Sequence, residues 1–391
     1  MQIVHIITRL IVGGAQENTL LSCQGQHAAG HQVTLISGPP LGPEGSLLPS
    51  AQAGGYRVEI LGPMRRAILP GKDLASYGRL VQRLRELRPD VVHTHSSKAG
   101  IIGRWAAHAA GVPAIVHTVH GLAFTASTSA IVNLAYRVAE QVTAPITSAI
   151  VCVADAMTRQ SLAAHVGRPW QYVTIYSGMD TQPFVQPPVA PAVVRASLGL
   201  NDSHVVVGTI ARLFDLKGHD DLLQLAPALC QRFPQLRFLW VGDGLLRPRF
   251  ERQISQLGLQ DRFILTGLVP PQRIAELANV MDILVHPSRR EGLARAVVQG
   301  QLAAKPVVAY DIDGNREGLL HGTSGFVLPP FDRRQLNDAL MVLLNDVGLR
   351  QRMGQAGRQF ALDRFGTATM VLALQRLYEM LLSGRFRHRG S

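Results

Sequence analysis

The sequence predicts an α/β protein made of two successive doubly wound domains, and three observations carry that prediction. Short apolar, β-branched runs alternate with segments of helical period, the signature of βα units around a parallel sheet. The alternation restarts after a proline-dense stretch, Pro183-Phe-Val-Gln-Pro-Pro-Val-Ala-Pro191. A length of 391 residues, 47% of them hydrophobic, is too great for one core and too apolar for disorder.

In the first part the apolar runs place strands at 3–8, 33–37, 91–94, 114–118 and 148–153, with helices near 15–29, 73–87, 98–110, 130–142 and 155–165. A last strand, 172–176, precedes the proline run, which cannot continue a helix or a central strand and reads as a linker. The second part repeats the pattern, with strands at 204–211, 236–241, 263–266, 283–286 and 306–309. Helices fall near 217–232, 246–257, 271–278 and 292–303. The closing helical pattern, 332–345 and then 350–382, is long enough to cross back over the first domain. The expected divisions are a domain 1–185, a linker 186–192, a domain 193–365, a returning helix 366–384 and a basic tail 385–391 that carries Arg385, Arg387 and Arg389. Two Rossmann-like domains in this order are expected to turn the carboxyl ends of their strands, and hence their ligand loops, toward a shared cleft.

Lys and Arg outnumber Asp and Glu by 39 to 27, a net charge of +12, so an anionic partner has to be considered: nucleic acid, a membrane surface or a phosphorylated substrate. The basic residues are dispersed, and no aromatic and basic stacking platform accompanies them, which argues against nucleic acid. Cys23, Cys152 and Cys230 lie far apart with no CxxC, against a disulfide framework or a zinc ribbon and in favour of the cytoplasm. The first ten residues lack the basic region of a signal peptide and read as a buried strand, and no window holds ~18 apolar residues without interruption. Arg65, Arg66 and Lys72, with the apolar segment Ala130-Ile-Val-Asn-Leu-Ala-Tyr-Arg137, leave two readings open. One is a peripheral position on anionic lipid at the inner face of the cell membrane, the other an ordinary surface helix packed on its own domain.

Four segments carry candidate chemistry. Gly13 and Gly14 follow the first strand and open a helix, where a phosphate or sugar can approach the backbone. In His93-Thr-His-Ser-Ser-Lys-Ala-Gly100 and His117-Thr-Val-His-Gly121, the residues His95, Ser96, Lys98 and His120 are expected at the cleft, and His93 and His117 as hydrogen-bonded core histidines. No carboxylate or cysteine accompanies either histidine pair, so no metal site is expected there. Arg212 and Lys217, in the exit loop of the strand at 204–211, suit a diphosphate: arginine forks onto two oxygens and lysine adds a mobile charge. Glu291 and Gly292 stand at an expected helix mouth, with the N–H groups of Gly292 and Leu293 available to a phosphate or sugar.

Taken in order with Glu44-Gly-Ser-Leu-Leu, Tyr176-Ser-Gly-Met-Asp180, Val241-Gly-Asp-Gly-Leu245 and Asp313-Gly-Asn-Arg-Glu317, these segments resemble family 4 glycosyltransferases of the GT-B fold. The likeness runs over nearly the whole chain and is greatest to the branch that builds capsular and exopolysaccharide or lipid-linked oligosaccharide. The resemblance implies transfer of a hexose or N-acetylhexosamine, with retention, from an NDP-sugar, UDP before GDP. The implied acceptor is a saccharide, free or linked to a polyprenyl diphosphate, and no cofactor or catalytic metal is required. It implies that His120 contacts the transferred sugar, that Arg212 and Lys217 hold the diphosphate, and that Glu291 binds sugar hydroxyls. Gly13, Gly14, Gly242, Gly292, Leu293 and Gln299 would line the donor, and Ser96 and Lys98 the acceptor. The chain departs from the family's Glu-x7-Glu motif, because residue 299 is glutamine, which keeps an acceptor oxygen and loses the charge. That departure motivates an alternative, a nucleotide-binding but weakly active or inactive subunit of a polysaccharide assembly complex. An NDP-sugar epimerase ranks below both.

Overall fold

The computed structural model describes residues 1–42, 45–122, 124 and 129–386, so Glu44 of the first quoted motif and residues 387–391 of the basic tail lie outside the described residues. The chain divides into two compact units, Met1–Met179 together with the chain from Thr367 on, and Asp180–Gly366.

In the first unit seven parallel strands, β1 (Gln2–Ile7), β2 (Gln32–Ser37), β3 (Arg57–Ile60), β4 (Val91–His95), β5 (Ala114–Val119), β6 (Ala149–Cys152) and β7 (Tyr172–Thr174), lie in the order β3-β2-β1-β4-β5-β6-β7. Strand β1 shows why the sheet is covered on both sides. Its odd apolar residues Ile3 and Ile7 pack in clusters with the helices Thr367–Leu382 and Gly14–Ala28, while Val4 and Ile6 pack with Leu80, Leu84, Ala99 and Ala106 on the helices Pro70–Leu87 and Ser97–Ala109. His5 shares the odd face and is therefore aimed at the layer that includes the C-terminal helix. That helix is a new one, because Gly366 leaves the preceding helix Val347–Phe365 in extended backbone. Met370, Leu374, Leu377 and Tyr378 then bury against the first unit's sheet, at about 1.5–3 kcal/mol per large apolar side chain.

In the second unit β8 (Val205–Ile210), β9 (Leu236–Val241), β10 (Phe263–Leu265), β11 (Ile283–His286), β12 (Val307–Tyr310) and β13 (Gly325–Leu328) form a parallel sheet in the order β10-β9-β8-β11-β12-β13. Trp240, Phe238, Phe250 and Phe263 anchor one face, with the Phe238 and Phe263 rings stacked at 4.6 Å. The proline run expected as a linker is instead built into this unit. Prolines start the short helices Gln182–Val185 and Pro191–Ser197, a position where the missing N–H costs nothing, and Phe184 is buried with its carbonyl accepting from Asn279 Nδ2 at 3.1 Å. In both units the strand order reverses direction beside the first strand, so ligand-binding loops are expected at the carboxyl ends of β1 and β4, and of β8 and β11.

Candidate functional site

In the second unit the loops after β8 and β11 meet at Glu291. Gly218, directly after Lys217, has φ +72, and a Cβ there would fall 1.9 Å from the Pro287 carbonyl oxygen. Only glycine lets these two loops touch, and the touch is tied by Arg289 N–H donating to Leu216 O at 2.8 Å and Ser288 Oγ–H to the same carbonyl at 3.1 Å. Lys217 Nζ thereby reaches Glu291 Oε1, and His286 Nε2 lies 2.9 Å from the same oxygen. Burial pushes the Glu291 carboxyl up, but the hydrogen bond and charge of His286, together with the charge of Lys217, outweigh it and hold the group at about 2. Glu291 is thus an ionised, acceptor-only group, and His286 donates through Nε2.

The Glu291 backbone N–H donates to Asp313 Oδ2 at 2.8 Å, and Gly314 N–H donates to Gly292 O at 2.9 Å. These bonds keep residues 291–294 out of the helix, which begins at Arg295 rather than near 292 as the sequence suggested. Gly292 and Leu293 therefore offer their N–H groups from a loop that leads into the helix. Gln299, on that helix, is half-buried. Arg212 is exposed, lies 4.9 Å over the Phe214 ring and pairs with no carboxylate among the described residues. It shares the β8 exit loop with Lys217, but no hydrogen bond joins it to the Glu291 group. Gly242 has a packing reason for being glycine: at φ +137 its Cβ would fall 2.2 Å from Ala211 O, so it seats the loop that carries Arg212. The Asp311-Ile-Asp313 pair is divided, Asp311 to Arg316 and Asp313 to the Glu291 backbone.

In the first unit a line of side chains runs from the sheet's interior to His120. His5 Nε2 lies 2.7 Å from Gln26 Oε1, His5 Nδ1 lies 2.9 Å from His95 Nε2, and His95 Nδ1 lies 3.0 Å from His120 Nε2. An amide oxygen only accepts, so His5 donates from Nε2. Burial lowers the His5 pKa to about 4 despite the Gln26 bond, which keeps the ring neutral with Nδ1 accepting. His95 then donates from Nε2, and burial with its imidazole neighbours holds its pKa well below the usual value, so its Nδ1 accepts from His120 Nε2–H. The Gln26 amide fixes this sense, because exchanging its O and N would reverse every donor in the line. Gln26 Nε2 in turn donates to Tyr378 on the C-terminal helix at 3.3 Å, and Tyr378 OH and Thr118 Oγ1 each lie 2.6 Å from a nitrogen of His93.

His5, His93 and His95 have the proximity of a metal triad, with ligand atoms within 4.8 Å of one another. Every ring nitrogen of the three is engaged in the bonds just named, which leaves no lone pair directed at an ion.

The remaining expected residues separate. His95, expected at a cleft, is fully buried as the middle of the line, because β4 points it inward beside His5. His93 and His117 are buried and hydrogen-bonded, His117 Nδ1 to Thr94 Oγ1 at 2.9 Å. Ser96 sits at φ +63, a strained backbone for a non-glycine, and its hydroxyl lies 2.6 Å from Thr8 Oγ1. Ser96 and His120 line one cavity with Thr118 and Phe124. Lys98, expected toward an acceptor, instead pairs with Asp73 at 2.5 Å. Gly13 and Gly14 stand at the start of the helix Gly14–Ala28, where Gly14 is exposed. His5, Gln26, Tyr378 and His286 were not singled out from the sequence, and Asp313 was noted only as part of a motif. A histidine inside the apolar run of β1 was the one local signal; the others depend on contacts distant in sequence or on a role that spacing does not show.

Residues 12–183 match the family model described as Glycosyltransferase Family 4, and residues 193–360 the model described as Glycosyl transferases group 1. The chain is 30% identical over 283 residues, 70% of its own length and 71% of the relative's, to the UDP-Gal:alpha-D-GlcNAc-diphosphoundecaprenol alpha-1,3-galactosyltransferase of Escherichia coli. It is 27% identical to the putative glycosyltransferase EpsD of Bacillus subtilis, covering 81% of this chain and 83% of that one. Among solved structures, Anabaena Alr3699/HepE in complex with UDP superposes with a TM-score of 0.83 over 97% of this chain and 100% of the other at 24% identity, a likeness of fold. With two parallel-sheet units of this topology and matches of this extent, the chain has the GT-B fold and belongs to glycosyltransferase family 4.

Proposed function

We propose that the chain moves a hexose or N-acetylhexosamine, with retention, from a UDP-sugar to a saccharide carried on a lipid diphosphate in the synthesis of a cell-surface polysaccharide. The observation that carries this reading is the Lys217–Glu291–His286 group, with Arg212 in the same exit loop as Lys217: a cation for a diphosphate next to one ionised acceptor for sugar hydroxyls. A relative that uses UDP-Gal and a diphosphoundecaprenol acceptor, and a UDP complex of the same fold, support the choice of UDP and of a lipid-linked acceptor.

In this mechanism the bond between the anomeric carbon and the diphosphate breaks toward an ion-pair-like state. The acceptor oxygen bonds to the anomeric carbon on the face the diphosphate leaves, and its proton passes to a diphosphate oxygen. Arg212 and Lys217 stabilise the charge growing on the leaving group, the role a metal plays elsewhere, so the proposal needs no cofactor. Glu291 and the N–H groups of Gly292 and Leu293 orient the sugar, and Gln299 accepts from the ribose. Gly13 and Gly14 keep the backbone approachable at the donor's phosphate side. Thermal shifts with UDP and GDP test the nucleotide, and the anomeric coupling of the product tests retention; an inverted product contradicts the mechanism. Gln299 favours a second reading, a nucleotide-binding subunit without turnover, which predicts UDP binding but no transfer to any acceptor until Gln299→Glu.

No helix among the described residues is long and apolar enough to cross a membrane. The helix Ala130–Thr143 nevertheless exposes Ile131, Leu134, Val138 and Val142, one stripe at spacings of three to four residues. We take this stripe, beside the exposed Arg137, as the face that rests on an anionic inner membrane surface from the cytoplasm. Vesicle co-sedimentation that is unchanged in Ile131→Asp/Leu134→Asp would remove that assignment.

A further inference from the structure

A second cavity in the first unit, about 170 Å3, is lined by Arg9, Arg65, Arg66 and Lys72, with Thr8 and Leu69 among its other walls. That is about the liquid share of five or six waters, room for a small anionic group. Among the described residues no carboxylate lines it. The nearest in sequence, Asp73, is already matched: it pairs with Lys98 and its Oδ2 accepts from Leu69 N–H at 3.0 Å. Arg65 is steadied by its Nη1 donating to Met64 O at 3.0 Å, and Arg9 donates to Leu41 O at 2.6 Å. Arg66 and Lys72 are exposed and pair with no carboxylate among the described residues. Lys72 lies in the first turn of the 18-residue helix Pro70–Leu87, whose amino end adds its own partial positive charge.

The rim has the opposite chemistry. Leu41 and Leu69, which line the cavity, are open to solvent, and Ile68 and Leu74, close to the lining residues along the chain, are exposed at 73% and 71%. Four cations in a concavity with an apolar rim match a ligand that is anionic at one end and hydrocarbon at the other. Location narrows the choice. Thr8, in the wall, closes the carboxyl end of β1, and its hydroxyl meets Ser96, which lines the cavity of His120. A ligand whose diphosphate sits among the cations therefore has its next sugar directed toward Ser96 and His120.

We propose that this cavity is the acceptor's diphosphate site: Arg9, Arg65, Arg66 and Lys72 bind the diphosphate of a prenyl-diphosphate-linked saccharide, and the isoprenoid leaves over Leu41, Ile68, Leu69 and Leu74. The proposal rests on the lipid-linked acceptor of the proposed function and assigns it a place. Flat anionic bilayer shares the charge preference, but it does not need a concavity adjoining the His120 cavity.

Calorimetric titration of the full chain with farnesyl diphosphate, inorganic diphosphate and farnesol, each with and without excess UDP, tests this directly. The expected order is farnesyl diphosphate far above inorganic diphosphate, with farnesol not binding, and UDP does not displace the prenyl ligand. Arg66→Glu/Lys72→Glu is expected to weaken farnesyl diphosphate at least tenfold while UDP affinity stays as in the parent chain. Displacement by UDP, equal binding of inorganic diphosphate, or indifference to the double substitution overturns the proposal. So does charge-dependent binding to phosphatidylglycerol vesicles with no binding of farnesyl diphosphate, which assigns the cations to headgroups. Transfer to a free saccharide without prenyl binding fails this site but spares the transferase reading; absence of UDP binding and of transfer fails the reading itself.

Discussion

Lys217 and Glu291 are held together in the protein, and the proposed mechanism needs Lys217 on a diphosphate, so substitutions at the two residues should move UDP affinity in opposite directions. Removing Lys217 deletes one charged hydrogen bond to the diphosphate. Such bonds contribute about 1.5–3 kcal/mol, so Lys217→Ala should weaken UDP roughly 10- to 150-fold. Glu291→Gln removes the carboxylate that Lys217 must leave. Parting a partly exposed Lys–Glu pair costs up to about 1 kcal/mol, so UDP should bind up to roughly fivefold tighter in this variant, even as sugar transfer falls because the sugar's acceptor group has lost its charge. UDP without sugar is the right ligand, since only the diphosphate contact is then compared. Isothermal titration of both variants beside the parent chain gives the answer. Weaker binding in both, or unchanged binding in Lys217→Ala, refutes the placement of the diphosphate at Lys217.

The Glu291 carboxyl lies at about 2 against an ordinary value of 4.5, a depression that corresponds to roughly 3 kcal/mol. Because the folded value is the lower one, this stabilisation is complete above 4.5 and lost as pH falls toward 2. Urea unfolding should therefore show the advantage of the parent chain over Glu291→Gln shrinking from about pH 5 to about pH 2, and a constant gap contradicts it. Gln26→Leu removes the acceptor that orients the His5–His95–His120 line. It is expected to lower kcat about tenfold with little change in the donor's KM, and to give a mixture of His120 tautomers by 15N NMR, whereas retention of Nε2–H alone argues against the line. Gln299→Glu should tighten UDP by about 1 kcal/mol, near fivefold, if residue 299 accepts from the ribose; unchanged affinity moves the ribose elsewhere.

The legible part of the fold was whatever repeats locally. Strands such as β6, Ala-Ile-Val-Cys, and β12, Val-Val-Ala-Tyr, are short continuous apolar runs because both faces are buried, and the sequence displays that directly. Strand β3, Arg57-Val-Glu-Ile60, escaped because an edge strand with half-exposed side chains carries no such run. The proline run suggested a linker because prolines mark breaks, yet they also start helices, and only the burial of Phe184 decides between the two. In the site, Lys217 and Glu291 were legible from motif order, but their meeting depends on Gly218 passing Pro287, a contact between loops 74 residues apart in their charged members. The line to His120 was hidden for the same reason. Gln26 and Tyr378 are ordinary residues on helices, and their part follows from where the C-terminal helix docks. Part of the net charge of +12 now has locations: Lys217 at Glu291 and four cations around the cavity at Thr8.

Acceptor-dependent release of UDP tests the account most directly. A panel of UDP-hexoses and UDP-N-acetylhexosamines is offered with prenyl-diphosphate-linked saccharides, and UDP is measured with and without acceptor for the parent chain and for Arg212→Ala. The account predicts release that requires both a UDP-sugar and a lipid-linked acceptor and falls at least about tenfold in Arg212→Ala. Release that proceeds at the same rate without acceptor, or at the parental rate in Arg212→Ala, would contradict it.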